Sequence, residues 1–226
     1  LASDSDAVTQ HTPSDGTPFF TVLINAWNGE DFIGAAIDSV LAQDFADYEL
    51  LVWDDLSSDR TCAIVTAYDD PRIRLVRAPE RMQIGRARDA ACREARGQWI
   101  AFLDQDDIWL PDKLSRQHAA IQAGPPTLGL VYARTIQFGT RRSDREFDPW
   151  HRVGHQPEGD VFRALLRRPS FIALSSGCIR REAFTRLGGI PADVVYCPDY
   201  FLFLRIARDW DAACVQQAVC RYRLHE

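Results

Sequence analysis

The feature that most constrains this chain is an alternation in its first half, where short apolar runs of strand length are separated by single segments of helix length. Residues 19–26, 48–53, 72–76 and 98–103 read as strands. Between the first two, Asn28 is placed to cap a helix whose buried stripe is Ile33, Ile37, Val40 and Leu41. Ser57 and Ser58 are placed to cap a second helix running through Val65. A third helix, 84–96, carries Ala87, Ala90, Ala91 and Ala95, small enough to lie close on a sheet. Strands at intervals of about 25 residues, joined by one helix each, predict right-handed βαβ units and a mainly parallel sheet.

The later part is less regular. Pro111 is placed to open a helix with Leu114, His118 and Ile121 on one face. Strands are expected at 128–138, 172–179 and 212–222, and helices at 160–168 and 199–208. Residues 139–159 form a polar, arginine-rich stretch without periodicity, expected to be either a solvated loop or one that closes over donor or acceptor through Arg141, Arg142, Arg145, Trp150 and His151. Residues 1–17 lack apolar periodicity and are expected to be a disordered lead. The fold class is therefore α/β, a doubly wound, mainly parallel but mixed sheet with helices on both faces.

Composition removes several partners. A length of 226 residues fits one large domain, and a net charge of −6 argues against nucleic acid or an anionic membrane surface as the main partner. Lysine occurs once, at Lys113, so almost every cation is an arginine, the side chain suited to fixed contacts with phosphate or carboxylate. The six cysteines have no metal-ligand or CxxC spacing and read as reduced core residues. No stretch is long enough to span a bilayer, the start is unlike a signal peptide, and neither Asn25 nor Asn28 begins a glycosylation site. A cytoplasmic location is expected, with peripheral membrane contact left open.

Chemistry gathers at strand ends. In a parallel sheet the carboxyl ends of the strands share one edge, and ligands bind in the crevice there. Asp54 and Asp55 follow the second strand; Asp104, Asp106 and Asp107 follow the fourth. Crowded carboxylates repel unless a cation joins them, and Mg²⁺ or Mn²⁺ uses few protein carboxylates together with substrate phosphates. A metal–phosphate site is expected. Asp54 is expected to serve in structural hydrogen bonding, and Asp107 has a simpler alternative as a helix cap. Receiver domains and haloacid-dehalogenase-type phosphatases need a lysine by the phosphoryl group, which Lys113 is poorly placed to supply. No GxxxxGK[ST] or GxGxxG loop is present.

Four stretches carry a resemblance: Phe20-Thr-Val-Leu-Ile-Asn-Ala-Trp-Asn28, Ile37-Asp-Ser-Val-Leu-Ala-Gln43, Asp54-Asp-Leu-Ser-Ser-Asp59 and Gly97-Gln-Trp-Ile-Ala-Phe-Leu-Asp-Gln-Asp-Asp107. In this order they resemble the motifs of family 2 glycosyltransferases of the GT-A fold. The resemblance covers roughly residues 18–225. It implies a nucleotide-binding half over about 18–110 and an acceptor half over about 111–226. It also implies that Asp55 binds the nucleotide base, with Asn25 and Trp27 beside base and ribose. Asp104 would contact ribose or support the metal shell, and Asp106 would ligate the metal on the donor diphosphate. Arg81 and Arg88 would be candidates for the diphosphate. Downstream, Gly188-Gly-Ile190 and Pro198-Asp-Tyr-Phe-Leu-Phe-Leu-Arg205 resemble the family's Gly-Gly turn and acidic helix start, which would make Asp199 the general base. His225 matches a histidine near the phosphates or metal. Asn25-Ala-Trp stands where the family has P-T-Y, and Cys197-Pro198 where it has an acid.

The activity this implies is metal-dependent, inverting transfer of a sugar from a nucleotide-diphosphate donor, UDP foremost, to a glycan or lipid-linked hydroxyl. A catalytically silent nucleotide-sugar-binding module is the alternative that Cys197-Pro198 motivates. A sugar-nucleotide pyrophosphorylase would need a glycine-rich loop with catalytic Arg or Lys, which residues 25–30 do not supply.

Overall fold

The computed structural model describes residues 16–139, 155–168 and 171–225. The first half holds β1 (Phe20–Ala26), α1 (Ile33–Leu41), β2 (Tyr48–Asp54), α2 (Thr61–Thr66), β3 (Ile73–Arg77), α3 (Ile84–Glu94) and β4 (Trp99–Asp104). β1 pairs in parallel with β2 and with β4, and β2 pairs in parallel with β3. Then follow β5 (Ile108–Trp109), α4 (Lys113–Ala123), β6 (Leu128–Phe138), α5 (Phe162–Arg167), β7 (Cys178–Arg180), α6 (Arg181–Leu187), α7 (Pro198–Asp209) and β8 (Asp211–Arg223). Among the described residues the strands form one sheet in the order β3-β2-β1-β4-β7-β6-β8-β5. β7 runs antiparallel to β4 and β6, whereas β8 runs parallel to β6, so the sheet is mixed.

Both faces of the central strands are apolar, as a sheet covered on both sides requires. Leu23, Leu51 and Phe102 pack with residues of α3, α5, α6 and α7. Val22, Ile24, Leu50 and Val52 pack with α1, α2 and α4 on the opposite face. Ala87 and Ala91 are buried in the first layer, so the small residues of α3 do bring its axis close to the sheet. The architecture is the expected doubly wound one.

Several local expectations are corrected. Asn28 does not cap α1, which begins only at Ile33. It sits instead in a left-handed conformation (φ 46°), and its Oδ1 accepts the Ser58 backbone N–H at 2.9 Å. Ser57 Oγ is spent on the Asn28 N–H at 3.0 Å, and it is Asp59 Oδ1 that takes the Thr61 N–H at the start of α2. The strand expected at 172–179 shrinks to β7. A 3-10 turn, Leu174–Ser176, precedes it, and Gly177 follows with the Phe203 ring so close that a Cβ would overlap it. Cys197 is exposed, unlike the buried Cys92, Cys178, Cys214 and Cys220. The residues proposed to close over a ligand, Arg141 to His151, lie outside the described residues.

The carboxyl ends of β1, β2 and β4 lie side by side. Asn25 is in register with Trp53 and Asp104, and Ala26 with Asp54. Because β2 and β4 flank β1 on opposite sides, the chain winds outward both ways from β1. A crevice opens at that point.

Candidate active site

A cleft of about 390 Å³ occupies this crevice, lined among others by Asn25, Trp27, Asp55, Arg81, Asp104, Asp106 and His225. These residues come from positions as far apart as the first strand and the residues just beyond the last. A cleft of about 430 Å³ lies elsewhere, between α6 and α7, and contains none of them. Size alone would select the wrong one, so convergence of chemistry decides.

One end of the cleft is built on β2 and the loop before α3. Asp55 is buried, and its carboxylate accepts the Met82 N–H at 3.1 Å and a hydrogen bond from Arg81 Nη1. The Arg81 guanidinium lies 4.1 Å from the centroid of the Trp27 ring, whose indole is 48% exposed. Arg81 is therefore held at the Asp55–Trp27 end. Trp27 is positioned by a residue the sequence reading passed over. Gln105 Oε1 accepts the Trp27 N–H at 2.9 Å, and Gln105 Nε2 donates to the Trp27 carbonyl at 3.2 Å. That amide passes so close to Gly29 that a Cβ there would collide with it. Gln105 could have been noticed as the middle residue of Asp104-Gln-Asp106; its partner could not, because pairing across 78 positions is a product of the fold.

The floor holds Asn25. Both atoms of its side-chain amide are shielded from water and have no partner, as has Nε1 of the neighbouring Trp53. Unpaired buried polar groups cost roughly 1–3 kcal/mol each, so they mark a place where a ligand can supply the missing bonds.

The other end is acidic. Arg88, 5% exposed, does not line the cleft; it lies beneath it with Nη2 3.4 Å from Asp104 Oδ1. Burial raises the Asp104 carboxyl to about 6, opposed by Arg88 and reinforced by the charges of Asp106 and Asp199. The Asp106 carboxylate contacts His225 Nε2, and the Asp106 carbonyl accepts from Arg223 Nε at 2.8 Å. Asp107 does not cap a helix: it is buried and accepts from Ser175 Oγ at 2.5 Å and from the Arg223 N–H at 2.7 Å. Burial lifts its carboxyl to about 8. Asp54 is fully buried with both oxygens 3.2 Å from the Ser57 N–H, the structural role expected of it.

Asp199 stands at the second position of α7, behind Cys197 in a left-handed conformation and Pro198. It does not cap the helix with its side chain. Its charge reaches the acidic end, where the Tyr222 hydroxyl is pushed up by burial and by the carboxylates of Asp107, Asp104, Asp106 and Asp199 together.

Carboxylates and an exposed aromatic ring meet here at a strand-order switch, the place where open α/β sheets bind ligands. The sequence comparisons go further. The family model for glycosyl transferase family 2 matches residues 21–188, so this chain belongs to glycosyltransferase family 2. Its sheet and helices have the GT-A fold of that family.

A relative from Escherichia coli, the UDP-Glc:alpha-D-GlcNAc-diphosphoundecaprenol beta-1,3-glucosyltransferase WfgD, is 43% identical over 208 residues, covering 91% of this chain and 77% of its own. The succinoglycan biosynthesis protein ExoO of Rhizobium meliloti is 45% identical over 102 residues, so this chain spans only 29% of its length. Among solved structures, S. aureus TarS in complex with UDP-GlcNAc aligns over 92% of this chain and 59% of its own, with a TM-score of 0.76 and 18% identity. The mannosyltransferase PcManGT of Pyrobaculum calidifontis, in complex with GDP-Man and Mn²⁺, aligns over 91% and 56%, with a TM-score of 0.67 and 25% identity. Among the described residues no helix is long and apolar enough to cross a membrane.

Proposed function

We propose that this glycosyltransferase moves a sugar from a UDP-sugar to a hydroxyl of a glycan or lipid-linked acceptor, with inversion at the anomeric carbon and with a divalent metal. The observation that carries this reading is the meeting of Asn25, Trp27, Asp55, Arg81, Asp104, Asp106 and His225 in one cleft at the strand ends. The uracil fits the Asp55–Trp27 end, with a carboxylate to accept its N–H and an indole face to stack on. Arg81 must then move aside from Asp55 or share it, which frees its charge for the diphosphate. The amide of Asn25 gains the partners it lacks.

The acidic end suits a divalent ion. No group of three His, Cys, Asp or Glu that could hold a metal exists among the described residues. Asp106 and His225 nonetheless offer one carboxylate and one imidazole side by side beside Asp104. Two protein donors completed by diphosphate oxygens are enough for Mn²⁺ or Mg²⁺, which keep few protein ligands. When bound, the ion stabilises the charge on the departing diphosphate. Asp104 and Arg88 orient the ribose side of that shell.

Asp199 is the candidate base. It takes the proton of the acceptor hydroxyl as the new bond forms at the anomeric carbon and the bond to the diphosphate breaks. A single carboxylate acting on the face opposite the leaving group gives inversion. WfgD is named for a UDP-glucose donor and TarS is solved with UDP-GlcNAc, which favours a UDP donor, while PcManGT, solved with GDP-Man, makes a guanine nucleotide the alternative to test. The test is release of UDP from UDP-glucose and UDP-GlcNAc by the purified protein with Mn²⁺ and with EDTA. Mn²⁺-dependent release supports the reading, and its absence with every nucleotide sugar tried sinks it.

A further inference from the structure

Asp107 is the acid that the proposed reaction does not use. It is 1% exposed, in a place where a carboxylate is expensive to keep. Both of its oxygens are nonetheless committed, to groups remote in sequence: Ser175 Oγ at 2.5 Å and the Arg223 N–H at 2.7 Å. Ser175, itself fully buried, uses the same hydroxyl to accept the Asp104 N–H at 3.0 Å. A hydroxyl can bridge the Asp107 carboxyl and the Asp104 amide from one atom. The Ser175 carbonyl is fixed in turn by Trp109 Nε1 at 2.9 Å. The next carbonyl, of Ser176, is fixed by Gln117 Nε2 at 2.8 Å, and Gln117 Oε1 accepts from the buried Lys113 at 2.6 Å. Beyond Arg223, its Nε holds the Asp106 carbonyl and His225 meets the Asp106 carboxylate.

We propose that Ser175 and Asp107 are positioning residues, a brace that ties the Asp104–Asp107 turn to the end of β8 and so places Asp106 and His225 to share one cation. Neither touches the ligand. Asp107 anchors the strand that delivers His225, and Ser175 holds both ends of the turn, Asp104 by its amide and Asp107 by its carboxylate. The two metal donors come from positions 119 apart and keep their spacing only if turn and strand are locked together. The proposal rests on the metal–nucleotide reading above.

The test is calorimetric binding of UDP to the intact protein, with Mn²⁺ and with EDTA, in Ser175→Ala. Thr21→Val is the comparison, since Thr21 is an equally buried hydroxyl that holds Glu49 at 2.7 Å and the Gly97 N–H at 2.8 Å at the far edge of the sheet. Both variants lower the melting temperature. Ser175→Ala alone weakens the Mn²⁺-dependent binding, about 10–100-fold, while binding in EDTA stays near wild type. The loss shrinks when Ser175→Ala is made on a His225→Ala background, because the brace acts through His225. Mn²⁺-dependent affinity within about twofold of wild type in folded Ser175→Ala, or equal losses in Thr21→Val, overturns the proposal. Should Ser175→Ala not fold, Asp107→Asn, which keeps the volume and the acceptor for Arg223, carries the same expectation. If neither folds, the pair is structural and the brace is rejected. A wild-type protein that binds no UDP at all sinks the functional reading and the brace with it.

Discussion

The parallel strands β1–β4 and the mixed strands β5–β8 present their chemistry in different ways. In the parallel part, side chains reach the cleft because they stand at or just past a strand end: Asn25 and Trp27 after β1, Asp55 after β2, Asp104 and Asp106 after β4. In the mixed part only the end of β8 does this, through Tyr222, Arg223 and His225. Asp199 arrives on a helix, and Ser175 on a 3-10 turn. The parallel edge gathers its cleft groups chiefly by where the strands end, with Gln105 fixing Trp27. The mixed part adds groups one by one, through particular contacts. The proposed division of labour follows: the parallel edge holds the nucleotide, and α7 acts on the acceptor.

Separating rate from binding at Asp199 is the sharpest way to break this comparison. Asp199→Asn keeps the volume but cannot take a proton, so transfer falls on the order of 10²–10⁴-fold. UDP binding with Mn²⁺ stays at the wild-type value. Calorimetry beside initial rates checks this, and an equal fall in affinity would place Asp199 with the nucleotide residues instead. Next in size is Asp106→Ala. The ratio of UDP affinities with and without Mn²⁺ collapses to about one, because the linkage between the two ligands runs through this carboxylate. A ratio unchanged from wild type would remove Asp106 from the metal.

Asp55→Ala tests the other end of the parallel edge. Loss of a charged hydrogen-bond acceptor worth roughly 1.5–3 kcal/mol weakens UDP binding about 10- to 150-fold. It leaves the Mn²⁺ dependence in place. Circular dichroism confirms that the variant is folded, and unchanged affinity in a folded variant would make Asp55 a structural residue.

The smallest effect sharpens the comparison through pH. Asp104, raised to about 6, and Asp107, raised to about 8, hold protons in the folded state that ordinary aspartates in the unfolded chain have already released. The native state then binds more protons, so stability falls as pH rises from about 4 to 8. Lys113, lowered to about 8 by burial, acts with the opposite sign and only above that pH. Melting temperature of the metal-free protein should therefore decline across this range. Asp107→Asn should flatten part of the slope. A flat wild-type profile would show that these carboxyls titrate as ordinary ones.

The same contrast decides what could be read in the sequence. Strand ends were readable, because a run such as residues 20–26 fixes where its carboxyl end lies and a parallel sheet brings all such ends to one edge. The acids after β2 and β4 followed from that, and the motif resemblance added Asn25, Trp27, Arg81 and His225. Partners were not readable. Asn28 has the chemistry of a cap, yet its oxygen went to Ser58, 30 positions away. Asp107 has the chemistry of a cap too, and was taken by Ser175 and Arg223. Short polar side chains choose among partners that tertiary packing brings within reach, and local pattern carries no record of that choice. The interval 172–179 misled for a related reason. Its apolar residues suit a strand, but Ser175 and Ser176 are used as a turn whose hydroxyls face the acidic loop and the preceding carbonyl.

The placement of β8 has a consequence for how the protein comes into being. The cleft draws on Asn25 in the first strand and on His225 beyond the last, with nearly the whole chain between them. During synthesis the earlier strands can pair while β8 is still being made, since β1 to β4 need nothing from it for their own ladders. The two proposed metal donors, Asp106 and His225, meet only when β8 is laid beside β6. On the proposed reading, metal-dependent nucleotide affinity reports that β8 has docked, and a nascent chain stalled short of β8 would hold its earlier strands yet leave Asp106 without His225.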